Sequence, residues 1–151
     1  MINDYRIERL TNIEQLSMDD LHYISTRVYQ LAKQYGNVTE GRFPLEWAAK
    51  NGVIFLCRRK GQICGWVYAT LFPDLFNPGK FVLRQELLFA ESGSRASWYL
   101  INEFLDFGKR HANYVITMIG AHTNLTPRNL KRLGFKELET LYRLEVERES
   151  I

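Results

Sequence analysis

The hydrophobic pattern of the first fifty residues changes from the alternation of a strand to the spacing of a helix. Apolar and polar residues alternate over residues 5–10, and apolar residues recur every three or four positions over residues 21–31. Ser17 stands where its side chain can cap the start of that helix. Pro44, whose missing N–H is harmless in a first helical turn, opens a shorter helix that stops at Gly52.

Two dense apolar runs follow, over residues 53–58 and 63–71, and both are typical of buried strands. Lys60 and Gly61 lie between them and suit a two-residue turn, so the pattern predicts a β-hairpin. A loop rich in turn-forming residues then leads to another strand over residues 81–90.

The second half of the chain alternates helices and strands. A long helix is predicted over residues 95–112 and a short strand over residues 114–119. Because a helix of this length separates two strands, those strands are expected to be parallel. A short helix over residues 123–133 and an alternating strand over residues 140–146 complete the chain. The apolar face of the long helix is assigned to Trp98, Ile101, Leu105 and Gly108.

The predicted order is β-α-α-β-β-β-α-β-α-β, a meander of strands followed by one crossover. This order predicts an α/β (α+β) fold. Its sheet is mixed and mostly antiparallel, has six strands, or seven if the chain closes on a compressed hairpin, and is flanked by helices. Because no repeat, low-complexity tract or long linker divides the sequence, we expect a single domain over residues 1–151.

Composition narrows the class of protein. With 46% hydrophobic and 25% charged residues, the chain has the make-up of a folded domain rather than of a disordered or fibrous one. No apolar run approaches the roughly 20 residues that span a bilayer, and the N-terminus lacks the pattern of a signal peptide. We therefore expect a cytoplasmic protein with no membrane partner. The net charge of +3 is small and scattered, so no nucleic-acid partner is expected.

The two cysteines, Cys57 and Cys64, are too few for a disulfide framework or a cysteine-rich zinc site. If Lys60 and Gly61 form the turn, Cys57 faces Cys64 across the hairpin. A redox pair is then conceivable, but a cytoplasmic setting favours two reduced thiols that pack as small hydrophobic groups. The three histidines are dispersed and show no metal-ligand spacing, so no metal site is expected.

Three segments, in their order and spacing, resemble the GNAT superfamily of N-acetyltransferases, and the element order extends the resemblance to essentially the whole chain. Residues 54–68 resemble the family's second and third strands, in which a turn glycine, here Gly61, is followed four residues later by a strand glycine, here Gly65. Residues 86–89 are similar to the end of the family's fourth strand. Residues 130–135 resemble its last helix running into a Gly-Phe pair.

The resemblance implies a site for an acyl-CoA, most simply acetyl-CoA. In GNAT proteins the fourth and fifth strands diverge to admit the pantetheine arm. The pyrophosphate lies on the N-terminus of the next helix, where free N–H groups and the helix dipole favour an anion. This chain departs from the family's Arg/Gln-x-x-Gly-x-Gly/Ala motif at Glu91 and Ser94, and a helix cap without a ligand is the alternative. The residues expected at the cofactor are Leu88, Phe89, Ser92, Gly93, Ser94, Arg95, Ala96 and Asn124.

Acyl transfer to an amine needs a base, a polarised carbonyl group and a proton for the leaving thiolate. The resemblance implies that Glu86, on the fourth strand, is the base and acts on the amine through water. The alternative is that Arg84 and Glu86 only mark the solvent side of that strand. A backbone N–H near Leu88 or Phe89 would polarise the carbonyl group.

The sequence does not identify the proton donor. The family often has a tyrosine four residues before the Gly of its Gly-Phe pair, where this chain has Leu130. Tyr142, Tyr99 and His122 stay as candidates, and water can also supply the proton.

We therefore expect an N-acyltransferase that transfers acetyl from acetyl-CoA to an amine in a ternary complex, as a monomer or a homodimer. The alternative is a GNAT-fold protein that has lost catalysis and serves in binding or assembly. The altered phosphate loop and the short C-terminus also resemble those of small GNAT-like proteins of bacteriophages. This resemblance implies a viral origin for the binding or assembly alternative. The acceptor amine is not identified by the sequence.

Overall fold

The helices and strands of the computed structural model follow the order that the hydrophobic pattern predicts. The structure describes residues 4–33, 45–118, 125–138 and Leu144. Within these ranges, no helix is long and apolar enough to cross a membrane. The elements are β1 (Tyr5–Arg9), a turn of 3-10 helix (Ile13–Gln15), α1 (Met18–Lys33), α2 (Leu45–Asn51), β2 (Val53–Arg59), β3 (Gln62–Pro73), β4 (Phe81–Ala90), α3 (Ala96–His111), β5 (Tyr114–Ile116) and α4 (Pro127–Arg132).

The described strands form a five-stranded sheet in the order β1-β2-β3-β4-β5. Neighbouring strands are antiparallel except for β4 and β5, which are parallel and connected through α3. The prediction of a mixed, mostly antiparallel sheet with one crossover is confirmed. The last strand, predicted over residues 140–146, and Pro44, the predicted start of the second helix, lie outside the described residues.

The sheet buries one hydrophobic cluster on each face. The cluster on one face, called the α3 face, joins the strands to α3 and α4 and contains Val67, Leu83 and Phe104. The cluster on the other face, called the α1–α2 face, joins the strands to α1 and α2 and contains Ile54 and Trp66. Successive residues of a strand enter opposite clusters because side chains alternate across a sheet. Burial of both clusters is the main stabilising contribution to the fold.

The buried side of α3 differs from the prediction at two positions. Trp98 is exposed and Leu105 is only half-buried, so their assignment to the apolar face is wrong. A Cβ atom at Gly108 would lie 2.3 Å from Val115 Cγ2, which shows how closely α3 approaches β5. Small residues permit this close packing, and the bulky indole is left on the outer side. The buried residues of α3 are Ala96, Ser97, Leu100, Ile101, Phe104, Phe107 and Gly108.

The β2–β3 hairpin has the predicted turn but a different register beyond it. Lys60 and Gly61 both have positive φ angles, 53° and 82°, as a type I′ turn requires. A β-bulge then makes Cys64 the extra residue, so Cys57 pairs with Gly65. The prediction that Cys57 faces Cys64 is therefore wrong for the backbone. The two sulfur atoms nevertheless lie 3.8 Å apart, and both thiols are free and buried.

Arg58 connects β2 to its neighbours on the α1–α2 face. Its guanidinium binds both carboxylate oxygens of Asp20 in α1, at 2.8 and 3.0 Å, and its Nε donates to Glu8 in β1. The side chains of Arg58 and Asp20 are only 19% and 14% exposed, so water screens this pair weakly. The bond from Arg58 is the main reason that the pKa of Asp20 is lowered from its usual 3.8.

Replacing the arginine with an apolar residue, Arg58→Met, should lower the free energy of unfolding at pH 7 by about 1.5–3 kcal/mol, the usual worth of hydrogen bonds between charged groups. A lowered carboxyl pKa contributes stability above its usual value, and that contribution is lost as pH falls through the folded-state pKa. The difference in the free energy of unfolding between variant and wild type, measured by urea unfolding, should therefore become smaller below about pH 4. Lys50→Met, which removes an exposed partner of Glu46, is the control. A gap that is constant with pH would contradict this account.

Candidate functional site

The strands β4 and β5 separate after a short parallel stretch. Their pairing covers Val82–Arg84 on β4, which continues to Ala90, whereas β5 ends at Ile116. Gln85 is the next residue of β4 and is 3% exposed. Its side-chain oxygen accepts hydrogen bonds from the Thr117 hydroxyl and the Met118 backbone N–H, so it fills the point where the strands part. Sequence reasoning missed this residue, although a glutamine within an apolar strand was a signal for it.

A β-bulge in β4 changes the direction of the side chains that follow. Tyr68 pairs with Leu87 and Ala69 pairs with Gln85, which leaves Glu86 as the extra residue. Leu87 packs against the α1–α2 face and Leu88 packs in the α3 face. The bulge therefore places Glu86 and Leu87 side by side on the α1–α2 face.

The carboxylate of Glu86 is held in one position by its neighbours. Its Oε1 accepts hydrogen bonds from the Thr70 hydroxyl at 2.7 Å and from Arg84 Nε at 2.8 Å. Its side chain is 29% exposed, so the carboxylate is accessible to a ligand or to water. Tyr68 lies nearby, and its pKa is raised mainly by burial and further by the charge of Glu86. Glu86 thus has the anchoring and the access that a base requires.

A tight turn connects β4 to α3. The Glu91 carbonyl oxygen accepts bonds from the Ser94 N–H at 3.1 Å and the Ser94 hydroxyl at 2.7 Å. Gly93 has a φ angle of 78°, which favours glycine, and no atom lies near the position of a Cβ. Ser92 and Gly93 are exposed. The loop predicted for the pyrophosphate is therefore an ordered turn with an open outer side.

The start of α3 has unused hydrogen-bond donors. The backbone N–H of Arg95 donates to the Tyr5 hydroxyl at 3.0 Å, and that of Ala96 donates to Ser94 Oγ at 3.4 Å. The N–H groups of Ser97 and Trp98 have no acceptor among the described residues. Two amides without an acceptor in the described part of the chain, at the positive end of a helix of 16 residues, favour an anion.

Ser97 adds a buried hydroxyl to this helix end. It is 3% exposed, and its Oγ has no hydrogen-bond partner within the described ranges. Ser97 shares a stripe of α3 with Ile101, Phe104 and Gly108, and the Cβ position of Gly108 lies against Leu83 and Val115. The hydroxyl therefore lies on the side of α3 that faces β4 and β5. The residues predicted for the pyrophosphate end at Ala96, so sequence reasoning missed Ser97. A serine on the apolar face of a helix was the signal that could have identified it.

The segment predicted to bind the pyrophosphate, residues 91–96, is called the phosphate loop. The side chain of its first residue, Glu91, points toward α1. Its carboxylate accepts hydrogen bonds from the Tyr23 hydroxyl and from Arg27 Nε, the latter at 2.9 Å. The Arg27 guanidinium also lies over the rings of Tyr23 and Phe89, at 5.4 and 5.9 Å from their centroids. Burial, and then the bond to Glu91, raises the pKa of Tyr23. Glu91 stands where the family motif has Arg or Gln. Because Arg27 neutralises its carboxylate, this substitution adds little net negative charge to the loop.

The remaining predicted residues are dispersed. Leu130 is buried in the α3 face, so an apolar side chain occupies the family's tyrosine position. Tyr99 stacks on Tyr5, with ring centroids 4.9 Å apart. Asn124, His122 and Tyr142 lie outside the described residues, so their predicted contacts stay predictions.

Solved structures share the overall fold of this chain. One is a probable acetyltransferase: it has 16% sequence identity and a TM-score of 0.69 over 95% of this chain and 99% of its own. A transcriptional regulator from Bacillus halodurans C-125 has 15% identity and a TM-score of 0.65 over 93% and 100%. An aminoglycoside N-acetyltransferase in complex with CoA has 18% identity and a TM-score of 0.61 over 94% and 99%. The chain has the GNAT fold. No protein-family model and no curated protein sequence matches it.

The GNAT fold accounts for the position of the turn at Gly93, between β4, which extends past β5, and the start of α3. At these identities the likeness shows the fold alone. The chemistry of this chain therefore depends on its own residues. One of them, Glu91, departs from the family motif and contacts Tyr23 and Arg27 instead.

The contact between Glu91 and Arg27 should be measurable as a coupling energy. In a double-mutant cycle of Glu91→Gln and Arg27→Met, each single change should destabilise the fold, and the two together should cost less than their sum by about 0.5–1 kcal/mol, because this pair is about one-third exposed. Urea unfolding measures all four proteins. A cycle of Arg27→Met with Glu14→Gln, an exposed acid outside this cluster, is the control. A coupling of zero for the first pair would contradict the contact.

Proposed function

We propose that the chain is an acyl-CoA-dependent N-acyltransferase that uses acetyl-CoA and an amine acceptor. The observation that carries the proposal is the start of α3, which follows the end of β4 that extends past β5. Within the described ranges, the amides of Ser97 and Trp98 and the Ser97 hydroxyl have no hydrogen-bond partner there. Buried polar groups in native proteins are normally hydrogen-bonded, so the Ser97 hydroxyl needs a partner, and an anion bound at the neighbouring amides would supply one.

The residues of the loop fit the diphosphate of a coenzyme A. The amides of Ser97 and Trp98 would donate to its oxygens, and the open side of Gly93 would allow the backbone to approach closely. Arg95 is exposed next to them and would add a positive charge. The thioester supplies an activated acyl group to the site, and the edge of β4 at Leu88 would hold the arm that carries it.

The described residues support direct transfer to an amine. Glu86, acting through water, would accept a proton from the amine as its nitrogen attacks the thioester carbonyl carbon. The C–N bond forms, the C–S bond breaks, and the thiol takes up one proton. A backbone N–H near Leu88 or Phe89 would stabilise the oxyanion. Because Leu130 is apolar, the proton on sulfur would come from water or from one of the predicted candidates, Tyr99, His122 and Tyr142.

A GNAT-fold protein that binds a partner without catalysis is the second candidate. The observation that favours it is Leu130, which is buried where the family often has its proton donor. The two candidates differ in whether acetyl-CoA is turned over.

The phosphate loop can be tested with a matched pair of glycines. Gly93→Val should weaken acetyl-CoA binding at least tenfold, because a side chain at φ 78° distorts the turn and blocks close approach. Gly79→Val is the control: its φ of 84° is similarly strained and its Cβ position is also open, but it lies in the β3–β4 loop. Isothermal titration with acetyl-CoA measures the affinities. Absence of binding to the wild type, or equal loss in both variants, would contradict the proposal.

The base can be tested separately from binding. Glu86→Gln keeps the size of the side chain but removes its ability to accept a proton, so turnover should fall about 10²–10⁴-fold while acetyl-CoA affinity is unchanged. Release of free thiol with a panel of primary amines gives the rates, and Glu46→Gln, an exposed acid of α2, is the control. Equal rates in wild type and Glu86→Gln would remove Glu86 from the mechanism. Binding of acetyl-CoA without turnover of any amine would favour the binding protein.

A further inference from the structure

The α1–α2 face of the sheet is open at one end. Trp66 and Tyr68 on β3 are buried, whereas Thr70 and Phe72, the next residues of β3 on the same face, are only half-buried. Arg84 and Glu86 lie beside them on β4, and their side chains are 48% and 29% exposed. These four residues, Thr70, Phe72, Arg84 and Glu86, are called the open patch.

Arg84 is fixed within the open patch by two contacts. Its Nε donates to Glu86 Oε1 at 2.8 Å, and its guanidinium lies over the Phe72 ring, 5.1 Å from the centroid. Neither contact uses the two terminal NH₂ groups, which have no partner among the described residues. A guanidinium held by its Nε and one face presents a planar pair of donors that matches a carboxylate.

We infer that Arg84 binds a carboxylate of the acceptor, so the acceptor is a compact molecule with both an amine and a carboxylate. This inference rests on the proposed function, with Glu86 as the base. Because Arg84 and Glu86 touch each other, one small molecule can place an anion at the Arg84 NH₂ groups while its amine reaches Glu86 through a water molecule. An α-amino acid, or an acidic residue at the N-terminus of a peptide, carries both groups close together.

The charges of the patch distinguish this class from other amines. A polyamine or an aminoglycoside has no anion for the Arg84 NH₂ groups and would meet a positive charge beside the base. A phosphate dianion would be repelled more strongly than a carboxylate by the adjacent Glu86. The transfer itself is unchanged: the C–N bond forms, the C–S bond of the acyl thioester breaks, the amine proton passes through water to Glu86, and the leaving thiolate takes up one proton.

Matched acceptors test the inference with the full chain and saturating acetyl-CoA. Thiol release is measured for L-amino acids, for their α-amides and for their decarboxylated amines. A second arm compares peptides that begin with Glu or with Gln, which distinguishes a free amino acid from a peptide N-terminus. If the acceptor is a free amino acid, turnover should be at least tenfold higher for the amino acids than for their amides and amines. If it is a peptide, turnover should be at least tenfold higher for peptides that begin with Glu than for those that begin with Gln.

Arg84→Gln should reduce kcat/KM for that carboxylate acceptor about 10- to 100-fold more than for its amide, mainly through KM, because a charged bidentate contact is lost. If Arg84 only holds Glu86 in place, Arg84→Gln would lower kcat/KM equally for both acceptors. Arg9→Gln is the matched control, since Arg9 is also exposed over an aromatic ring, at 5.1 Å from the Phe107 centroid.

Three results would overturn the inference: preference of the wild type for amines without a carboxylate, equal loss for both acceptors in Arg84→Gln, or turnover of no carboxylate acceptor. If titration in the same samples shows that acetyl-CoA binds, only the acceptor assignment fails. If acetyl-CoA does not bind, the proposed function fails with it.

Discussion

The separation of β4 from β5 is the constraint on which the rest of the site depends. Only Val82–Arg84 pair with β5, and Gln85 then uses its side chain to satisfy backbone and hydroxyl groups that the ladder no longer reaches. Buried polar groups must find partners. Gln85 meets this requirement for Thr117 and Met118, which keep a hydrogen-bond partner after the ladder ends.

The two sides of β4 carry different parts of the proposed chemistry. The carboxylate of Glu86 lies on the α1–α2 face beside Arg84, whereas the start of α3, with Ser97, lies on the other face. A thioester that enters between the strands would reach both. The acceptor and the diphosphate would therefore meet separate charge environments, the Arg84–Glu86 ion pair for the acceptor and the positive end of α3 for the diphosphate.

The sequence predicted the elements well because their signals are local: alternation in the strands, helical spacing in α1 and α3, and a two-residue turn at Lys60 and Gly61. It did not predict the bulges at Cys64 and Glu86, because register beyond a turn depends on packing between distant residues. The partner of Glu91 was also missed, since Tyr23 and Arg27 are more than sixty residues away in the chain. Trp98 was assigned to the core on hydrophobicity alone, whereas close contact between α3 and β5 decides which residues of the helix are buried.

The contacts of Glu91 make the phosphate loop and helix α1 parts of one electrostatic unit. Glu91 begins the loop, and its charge is balanced by a side chain of α1 rather than by a neighbour in sequence. A displacement of α1 would return an uncompensated negative charge to the loop and lower its affinity for an anion. By thermodynamic reciprocity, an anion bound at the loop would in turn favour the docked position of α1, and binding on one face of the sheet would be coupled to packing on the other.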